Sequence, residues 1–166
     1  MATAIFYASS TGNTADVANK IAKQLGDIEV FDIADDGVNS IKKYDKVILA
    51  TPTWGEGELQ DDWKDVMDEF EEIDFTNKII ALFGLGDQEG YGDFYCDAMG
   101  IIYEKVIAQG GTIVGQWDIT EEYYHEESKA VVDGKFVGLA LDEDNQPELT
   151  DERINQWCEI IKLDIL

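Results

Sequence analysis

The sequence predicts an α/β protein with a mainly parallel sheet covered by helices on both faces. Short runs of consecutive apolar residues alternate along the chain with segments whose apolar residues recur every three to four positions. Uniformly apolar strands separated by helix-length segments are typical of parallel sheets that are buried on both sides. No linker, repeat or low-complexity tract interrupts the pattern, so we expect residues 1–166 to form one domain.

Short apolar runs predict the strands. The first four are Ala4–Tyr7, Ile28–Phe31, Val47–Ala50 and Ile79–Phe83. Thr51-Pro52 is expected to end the third strand. The fifth strand has two candidates, Thr112–Trp117 and Phe136–Leu141. Either the sheet has six strands, or one strand is interrupted by the polar and aromatic segment Asp118–Lys135.

Apolar residues at helical spacing predict the helices between these strands. The sets that mark them are, in chain order, Val17, Ile21 and Leu25; Val38, Ile41 and Tyr44; Trp63, Val66, Met67 and Phe70; the segment from about Asp93 to Gln109; and Ile154, Trp157 and Ile161. Thr150 is expected to cap the last helix, because threonine is favoured at that position and acidic residues follow it.

The charge of the chain excludes several classes of partner. It carries 36 acidic and 12 basic residues, a formal net charge of −24. Such a surface repels nucleic acid and anionic membranes, and no apolar run is long enough to span a bilayer. The N-terminus lacks the basic start and long apolar run of a secretory signal. We expect a cytoplasmic protein whose acidic surface either only confers solubility or also docks basic partner proteins.

The cysteines and the histidine give no sign of chemistry. Cys96 and Cys158 match no metal-ligand or redox spacing, so two free thiols in a reducing compartment are expected. His125 is the only histidine and has no evident acid–base partner. Neither a catalytic residue nor a metal site is therefore predicted.

The loop after the first strand, SSTGNT, predicts a site for an anion. It joins a strand to a helix N-terminus, where backbone N–H groups and the helix dipole favour negative charge. Its hydroxyls can donate hydrogen bonds, Gly12 permits close approach, and no charged side chain precedes Asp16. The loop has no Walker A lysine and no G-x-G-x-x-G spacing. Taken alone, this loop is also compatible with the ordinary capped start of a helix that binds no ligand.

Two further loops each carry an aromatic ring. TPTWGEGELQ holds Trp54 and GLGDQEGYGD holds Tyr91, and both follow strands of the predicted sheet. Ligands of such sheets bind beyond the carboxyl ends of the strands. Two rings on neighbouring loops could stack on both faces of a flat ligand. A phosphate at one end and a planar ring at the other describe flavin mononucleotide (FMN).

Taken in order, SSTGNT, PTWGEGELQ, GLGDQEGYGD and the closing DGKFVGLALDEDNQPELTDERI resemble the long-chain bacterial flavodoxins over nearly the whole chain. The resemblance implies a doubly wound five-stranded parallel sheet in the order 2-1-3-4-5, an order for which flavodoxin is itself the reference example. It also implies that the loop Asp118–Lys135 splits the fifth strand. The chain would be a monomer that binds FMN without a covalent bond.

The resemblance also implies roles for individual residues. Ser9, Thr11 and Thr14 would bind the phosphate by hydroxyl, Trp54 and Tyr91 would stack on the two faces of the ring, and Asp144 would lie near the ribityl chain. Backbone groups of Gly55, Glu56 and Asp87 would line the polar edge of the ring. The remaining positions of the implied site are Ser10, Gly12, Asn13, Pro52, Thr53, Gly86 and Phe94. Phe94 departs from the family pattern, in which Asn or Tyr is common, and the inserted loop lacks the glycine that often precedes its tyrosine.

The implied function is that of a low-potential one-electron carrier. Gly55 would let the 55–56 peptide flip toward a neutral semiquinone, because glycine accepts a positive φ. Ten acidic residues against one lysine between Pro52 and Asp74 would disfavour the anionic, fully reduced ring. Basic redox proteins such as flavodoxin or ferredoxin reductases and oxidoreductases are the expected partners.

Two other classes of protein are alternatives to a one-electron carrier. An FMN-dependent NAD(P)H quinone-type reductase on the same fold is the alternative, but the sequence shows no pocket for a second substrate. A response-regulator receiver needs an aspartate at the end of the third strand and an acidic pair after the first. This chain has Ala50-Thr51-Pro52 and a neutral turn at those places, so the receiver is excluded.

Overall fold

The computed structural model describes residues 3–166, and its elements alternate as the sequence predicts. The strands are β1 Thr3–Tyr7, β2 Glu29–Asp32, β3 Lys46–Trp54, β4 Glu58–Leu59, β5 Ile79–Leu85, β6 Thr112–Val114, β7 Trp117–Asp118, β8 Val131–Val132, β9 Lys135–Phe136 and β10 Leu139–Leu141. The α-helices are α1 Asn13–Gln24, α2 Ile33–Asp36, α3 Asp61–Glu71, α4 Asp97–Ala108 and α5 Thr150–Ile165. Short 3₁₀ turns cover Asn39–Lys43, Gly92–Phe94 and Pro147–Leu149.

The main sheet has the predicted order. Strands β2, β1, β3 and β5 lie side by side and are parallel, and both β6 and β10 pair with the outer edge of β5. Because β6 and β10 lie along successive parts of the same edge, they are the two halves of one interrupted fifth strand. The prediction of a five-stranded sheet with a split last strand is confirmed.

The interruption is longer than expected. Strand β6 ends at Val114 and β10 begins at Leu139, so we call residues 115–138 the insert. Gly115 has φ of +81° and packs against Trp157, which turns the chain out of the sheet before Trp117. Trp117 then pairs with Phe136 in a small antiparallel sheet of β7, β9 and β8. The inner ends of both candidate strands therefore belong to the insert.

Strand β3 also differs from its prediction, because Thr51-Pro52 does not end it. Pro52 stays in register with Leu85, and the strand continues to Trp54, where β4 pairs back with it in antiparallel fashion. The chain reverses at Gly55 and Gly57, which have φ of +47° and +85°. Trp54 is thus displayed at the end of a sheet strand that a hairpin holds in place.

The helices account for the other differences. No pattern in the sequence predicted α2, which follows β2 directly and is capped by Asp32, whose carboxylate accepts from Ala34 N. The fourth helix begins at Asp97 rather than near Asp93, since a 3₁₀ turn precedes it. The expectation that Thr150 caps α5 was wrong. A 3₁₀ turn runs straight into that helix, so Thr150 is its first residue and makes no capping hydrogen bond.

The hydrophobic core lies between the sheet and its helices. Helix α1 contacts α5, which packs on β5 and β10, while α4 packs on β3 and β5. Among the largest side chains with almost no exposure are Trp63, Trp157, Tyr95, Phe6 and Phe83. Within residues 3–166, no helix is both long and apolar enough to cross a membrane.

Candidate functional site

A cleft opens beyond the carboxyl ends of β1, β3 and β5, where the sequence placed the site. The space between its loops amounts to about 680 Å³, counting the open mouth. Its lining consists of Ser10, Thr11, Asn13, Thr14, Pro52, Thr53, Trp54, Leu85, Gly86, Asp87, Tyr91, Glu143 and Asp144. Loops that are far apart in the sequence therefore converge on one cleft, as expected for a doubly wound sheet.

Most of the residues that the sequence singled out line this cleft, and some do not. Ser9, Gly12, Gly55, Glu56 and Phe94 lie outside its lining. Ser9 and Gly12 shape the loop before α1, and Gly55 and Glu56 form the exposed turn after Trp54. Phe94 is half-buried in the 3₁₀ turn Gly92–Phe94 and lines a neighbouring groove with His125.

One end of the cleft is the N-terminus of α1. Gly12 occupies the capping position with φ of +94° and has no side chain to accept from the first amides of the helix. Ser9 Oγ instead accepts from Gly12 N at 3.1 Å, which holds the loop in its turn. By contrast, Gln60 caps α3 by accepting from Asp62 N. The first turn of α1 thus presents N–H groups without a side-chain cap, an arrangement that suits an anion.

The loops after β3 and β5 bring two aromatic rings to the same cleft. Trp54 is 37% exposed and Tyr91 is 48% exposed, although both line the cleft. Large apolar rings exposed in a concave site usually mark a ligand surface. The hairpin that carries Trp54 packs closely on α4, since a Cβ added to Gly57 would lie 2.6 Å from Asp97 Oδ2.

Close packing at Gly86 shapes the cleft beside Tyr91. A Cβ there would lie 2.7 Å from the ring of Tyr95 and 2.8 Å from Cys96 N. Any side chain at this position would push the loop 86–91 into the cleft or away from α4. Tyr95 in turn stacks on His125 with ring centroids 5.2 Å apart, and burial lowers the pKa of that histidine.

Three carboxylates meet at the edge of the cleft, with oxygens of Asp87, Asp142 and Asp144 all within 4.8 Å of one another. Asn145 Nδ2 donates to Asp87 Oδ1 at 2.8 Å and also to Asp142. Burial and the two neighbouring carboxylates raise the pKa of Asp144. Burial also acts to raise the pKa of Asp87, but hydrogen bonds from Gly90 N, Asn145 and Glu89 N outweigh it and lower that pKa.

Sequence reasoning missed three residues of this region. Leu85 and Glu143 line the cleft, and Asp142 is completely buried beneath it. Leu85 was hidden because the fourth strand runs on to it. Asp142 stands in the acidic stretch LDEDNQ, which resembles an exposed loop in sequence. Its position directly after an apolar strand was the only signal that it is buried.

The fold and the cleft define a class of protein, a doubly wound α/β protein whose site suits a ligand with an anionic end and a flat ring. Comparison with known proteins places the chain within that class. The flavodoxin family model matches residues 5–157. The chain belongs to the flavodoxin family, whose members are electron-transfer proteins rather than enzymes.

Individual relatives cover nearly the whole chain. It is 48% identical to a flavodoxin of Picosynechococcus sp., over 95% of this chain and 94% of that protein. It is 49% identical to flavodoxin 1 of Escherichia coli K12, over 96% and 92% of the two chains. A solved structure of Fusobacterium nucleatum flavodoxin bound to flavin mononucleotide superposes with a TM-score of 0.93 and 38% identity, covering 99% of each chain.

Proposed function

We propose that residues 1–166 form one monomeric flavodoxin domain that carries single electrons at low potential on non-covalently bound FMN. The observation that carries the proposal is the pairing, in one cleft, of an uncapped helix N-terminus with two exposed aromatic rings. An anion site alone or an aromatic surface alone would suit many ligands. Together they fit a phosphate joined to a flat ring system. Bound FMN would supply the one-electron chemistry.

The residues present fit the phosphate of FMN. The first-turn amides of α1, together with the hydroxyls of Ser10, Thr11 and Thr14, can donate hydrogen bonds toward a phosphate at this end. Ser9 and Gly12 would act through the loop, because Ser9 holds the turn and Gly12 leaves the amides uncapped. Neutral donors suit this acidic protein, in which a carboxylate at the same place would repel the ligand.

The residues present also fit the ring of FMN. The indole of Trp54 and the phenol of Tyr91 would cover its two faces, and Pro52, Thr53 and Gly86 would line the space between. Gly55 already has a positive φ, and a Cβ added there would meet only the end of Glu58 at 3.6 Å. We expect the 55–56 peptide to turn toward the edge of the ring, because glycine accepts the change of φ that this requires. Such a hydrogen bond contributes about 1 kcal/mol.

We expect a purified preparation to be yellow and to bind FMN in a one-to-one ratio. Reductive titration should pass through a blue form midway, which requires uptake of one electron at a time. A colourless protein that takes up no added FMN would refute the proposal. Adding NADPH alone separates the carrier from a reductase, because rapid bleaching of the flavin would indicate direct hydride transfer.

We further propose that the partners are basic redox proteins, met in a reducing cytoplasm where Cys96 and Cys158 stay free. The acidic helix α3 starts beside the cleft, and its outward side exposes Asp61, Asp65, Asp68 and Glu69. Each carboxylate about 12 Å from the ring would disfavour added negative charge by about 0.5–1 kcal/mol. The same charges would steer basic partners toward the cleft.

Neutralising α3 should therefore weaken binding of a basic flavodoxin reductase. The double variant Asp65→Asn/Asp68→Asn is expected to lose about 5-fold in affinity at low salt and to show a shallower dependence on ionic strength. The matched control is Asp27→Asn/Asp45→Asn, which removes two charges at the amino ends of β2 and β3. Equal losses in both variants, or an affinity independent of salt, would contradict a docking site at α3.

A further inference from the structure

The buried carboxylate of Asp142 is the centre of a hydrogen-bond network behind the cofactor cleft. Asp142 has no exposed surface, and it follows β10 directly. Its oxygens accept from Gln88 N at 3.1 Å, Gln88 Nε2 at 3.0 Å and Asn145 N at 3.0 Å. A buried polar group is tolerated only when such donors replace water, and here they come from two different loops. Asp142 therefore ties the loop 86–91 to the segment after β10.

Gln88 extends this network to the insert. Its side chain is 4% exposed, and its Oε1 accepts from Tyr124 N at 2.8 Å. Its Nε2 also donates to Gln146 Oε1 at 3.1 Å, and Gln146 Nε2 donates to Glu122 O at 2.6 Å. The backbone of the insert is thus bonded at two places to amides that rest on Asp142.

The same network reaches the lining of the cleft. Asn145 joins Asp142 to Asp87, and Asp87 accepts from Gly90 N at 2.8 Å, directly before Tyr91. The position of the Tyr91 ring therefore depends on groups that Asp142 orients. Among the described residues, none of 115–138 lines the cleft. Any influence between the insert and a ligand must then pass through intervening groups, and this network provides them.

We propose that Asp142 is a positioning residue that couples the cofactor loop 86–91 to the insert, with Gln88 as the joint between them. The inference rests on the proposed function, because it concerns the binding of FMN. When FMN orders the loop 86–91, the insert becomes ordered as well. Loss of a hydrogen bond at Gln88 weakens the binding of FMN and loosens the insert. Coupling of this kind is reciprocal and typically amounts to 5–150-fold in affinity, or about 1–3 kcal/mol.

The test uses the full chain with and without FMN. Flavin fluorescence during titration of the apoprotein gives the Kd, and amide hydrogen exchange reports the Tyr124 N–H. In the wild type, FMN should slow exchange at Tyr124 at least about 5-fold. In Gln88→Leu, the Kd for FMN should rise at least about 10-fold, and FMN should no longer protect that amide.

Gln109→Leu is the matched control. Gln109 Nε2 also makes two hydrogen bonds, to Phe70 O and Ile73 O, but at the end of α3 away from the cleft. This variant should have a lower free energy of unfolding. Its Kd for FMN should change by no more than about twofold, because Gln109 lies outside the network that reaches the cleft. If Gln88→Leu fails to fold, Gln146→Met replaces it, with the Kd for FMN as its readout. That change removes the bonds of the Gln146 amide to Gln88 and to Glu122 O, and it keeps the bonds of Gln88 to Asp142 and to Tyr124 N.

Two results would overturn the coupling. One is an unchanged Kd in the folded network variant, whether Gln88→Leu or Gln146→Met. The other is protection of Tyr124 by FMN in Gln88→Leu as strong as in the wild type. Wild-type apoprotein that binds FMN without any response at Tyr124 would refute the coupling and leave the proposed function intact. Failure of the wild type to bind FMN would refute the proposed function itself.

Discussion

Thr11→Asp should weaken FMN binding on the order of 100-fold and leave riboflavin binding almost unchanged. Thr11 is exposed, lines the cleft and precedes the uncapped start of α1. Two like charges about 4 Å apart near a protein surface repel by about 4 kcal/mol before screening, and each 1.4 kcal/mol is tenfold in affinity. Riboflavin has no phosphate, so it escapes this repulsion. Fluorescence titration of the apoprotein with each ligand measures the effect.

The control for this prediction is Thr11→Asn, which changes the hydroxyl without adding charge. The Kd for FMN should rise by less than about tenfold, because the Asn amide can still donate a hydrogen bond to the phosphate. A carboxylate near the N-terminus of a helix interacts favourably with the helix dipole. The apoprotein of Thr11→Asp should therefore be as stable as the wild type or slightly more stable. Equal loss of FMN and riboflavin would show that the phosphate does not bind at α1.

Trp54→Ala should weaken the binding of FMN and the binding of riboflavin by the same factor, about 10- to 100-fold. Stacking of a flat heterocycle on an aromatic side chain contributes roughly 1–3 kcal/mol, judged by alanine substitution. Trp54 is 37% exposed, so its removal leaves no cavity in the core and the apoprotein should keep its stability. The same titrations with the two ligands measure the loss.

Trp54→Phe is the matched control and should recover most of the affinity, because a smaller ring still stacks. The two ends of the cleft thus give different signatures. A change at the phosphate end alters the ratio of FMN to riboflavin affinity, whereas a change at the ring end leaves that ratio constant. If Trp54→Ala altered the ratio, the assignment of the two ends would be wrong.

Local patterns in the sequence were enough to locate most strands and helices, whereas the order of the strands in the sheet was predicted from the family resemblance. Apolar runs and helical spacing located the strands of the main sheet and the helices α1, α3, α4 and α5. Their ends were less predictable, because the ends depend on contacts with distant parts of the chain. Pro52 remains in β3 because β5 pairs with it, and β4 pairs with the two residues that follow. Thr150 loses its capping role since a 3₁₀ turn enters α5 directly.

The candidate site was predictable where a residue type has a specific use on a loop. Trp54, Tyr91 and the hydroxyl-rich turn stood out for that reason, and all contribute to one cleft. The network beneath the cleft was not predictable. Gln88 and Asp142 are distant in sequence, and nothing local shows that two polar side chains will be buried together. Only the pairing of β10 with β5 brings them side by side.

The split fifth strand leaves only short strand edges on one side of the sheet. An unpaired strand edge is a template for another chain, and long, flat edges promote aggregation. Strands β6 and β10 offer only Thr112–Val114 and Leu139–Leu141, and the whole insert separates them. A second copy would find no continuous row of backbone groups along this side.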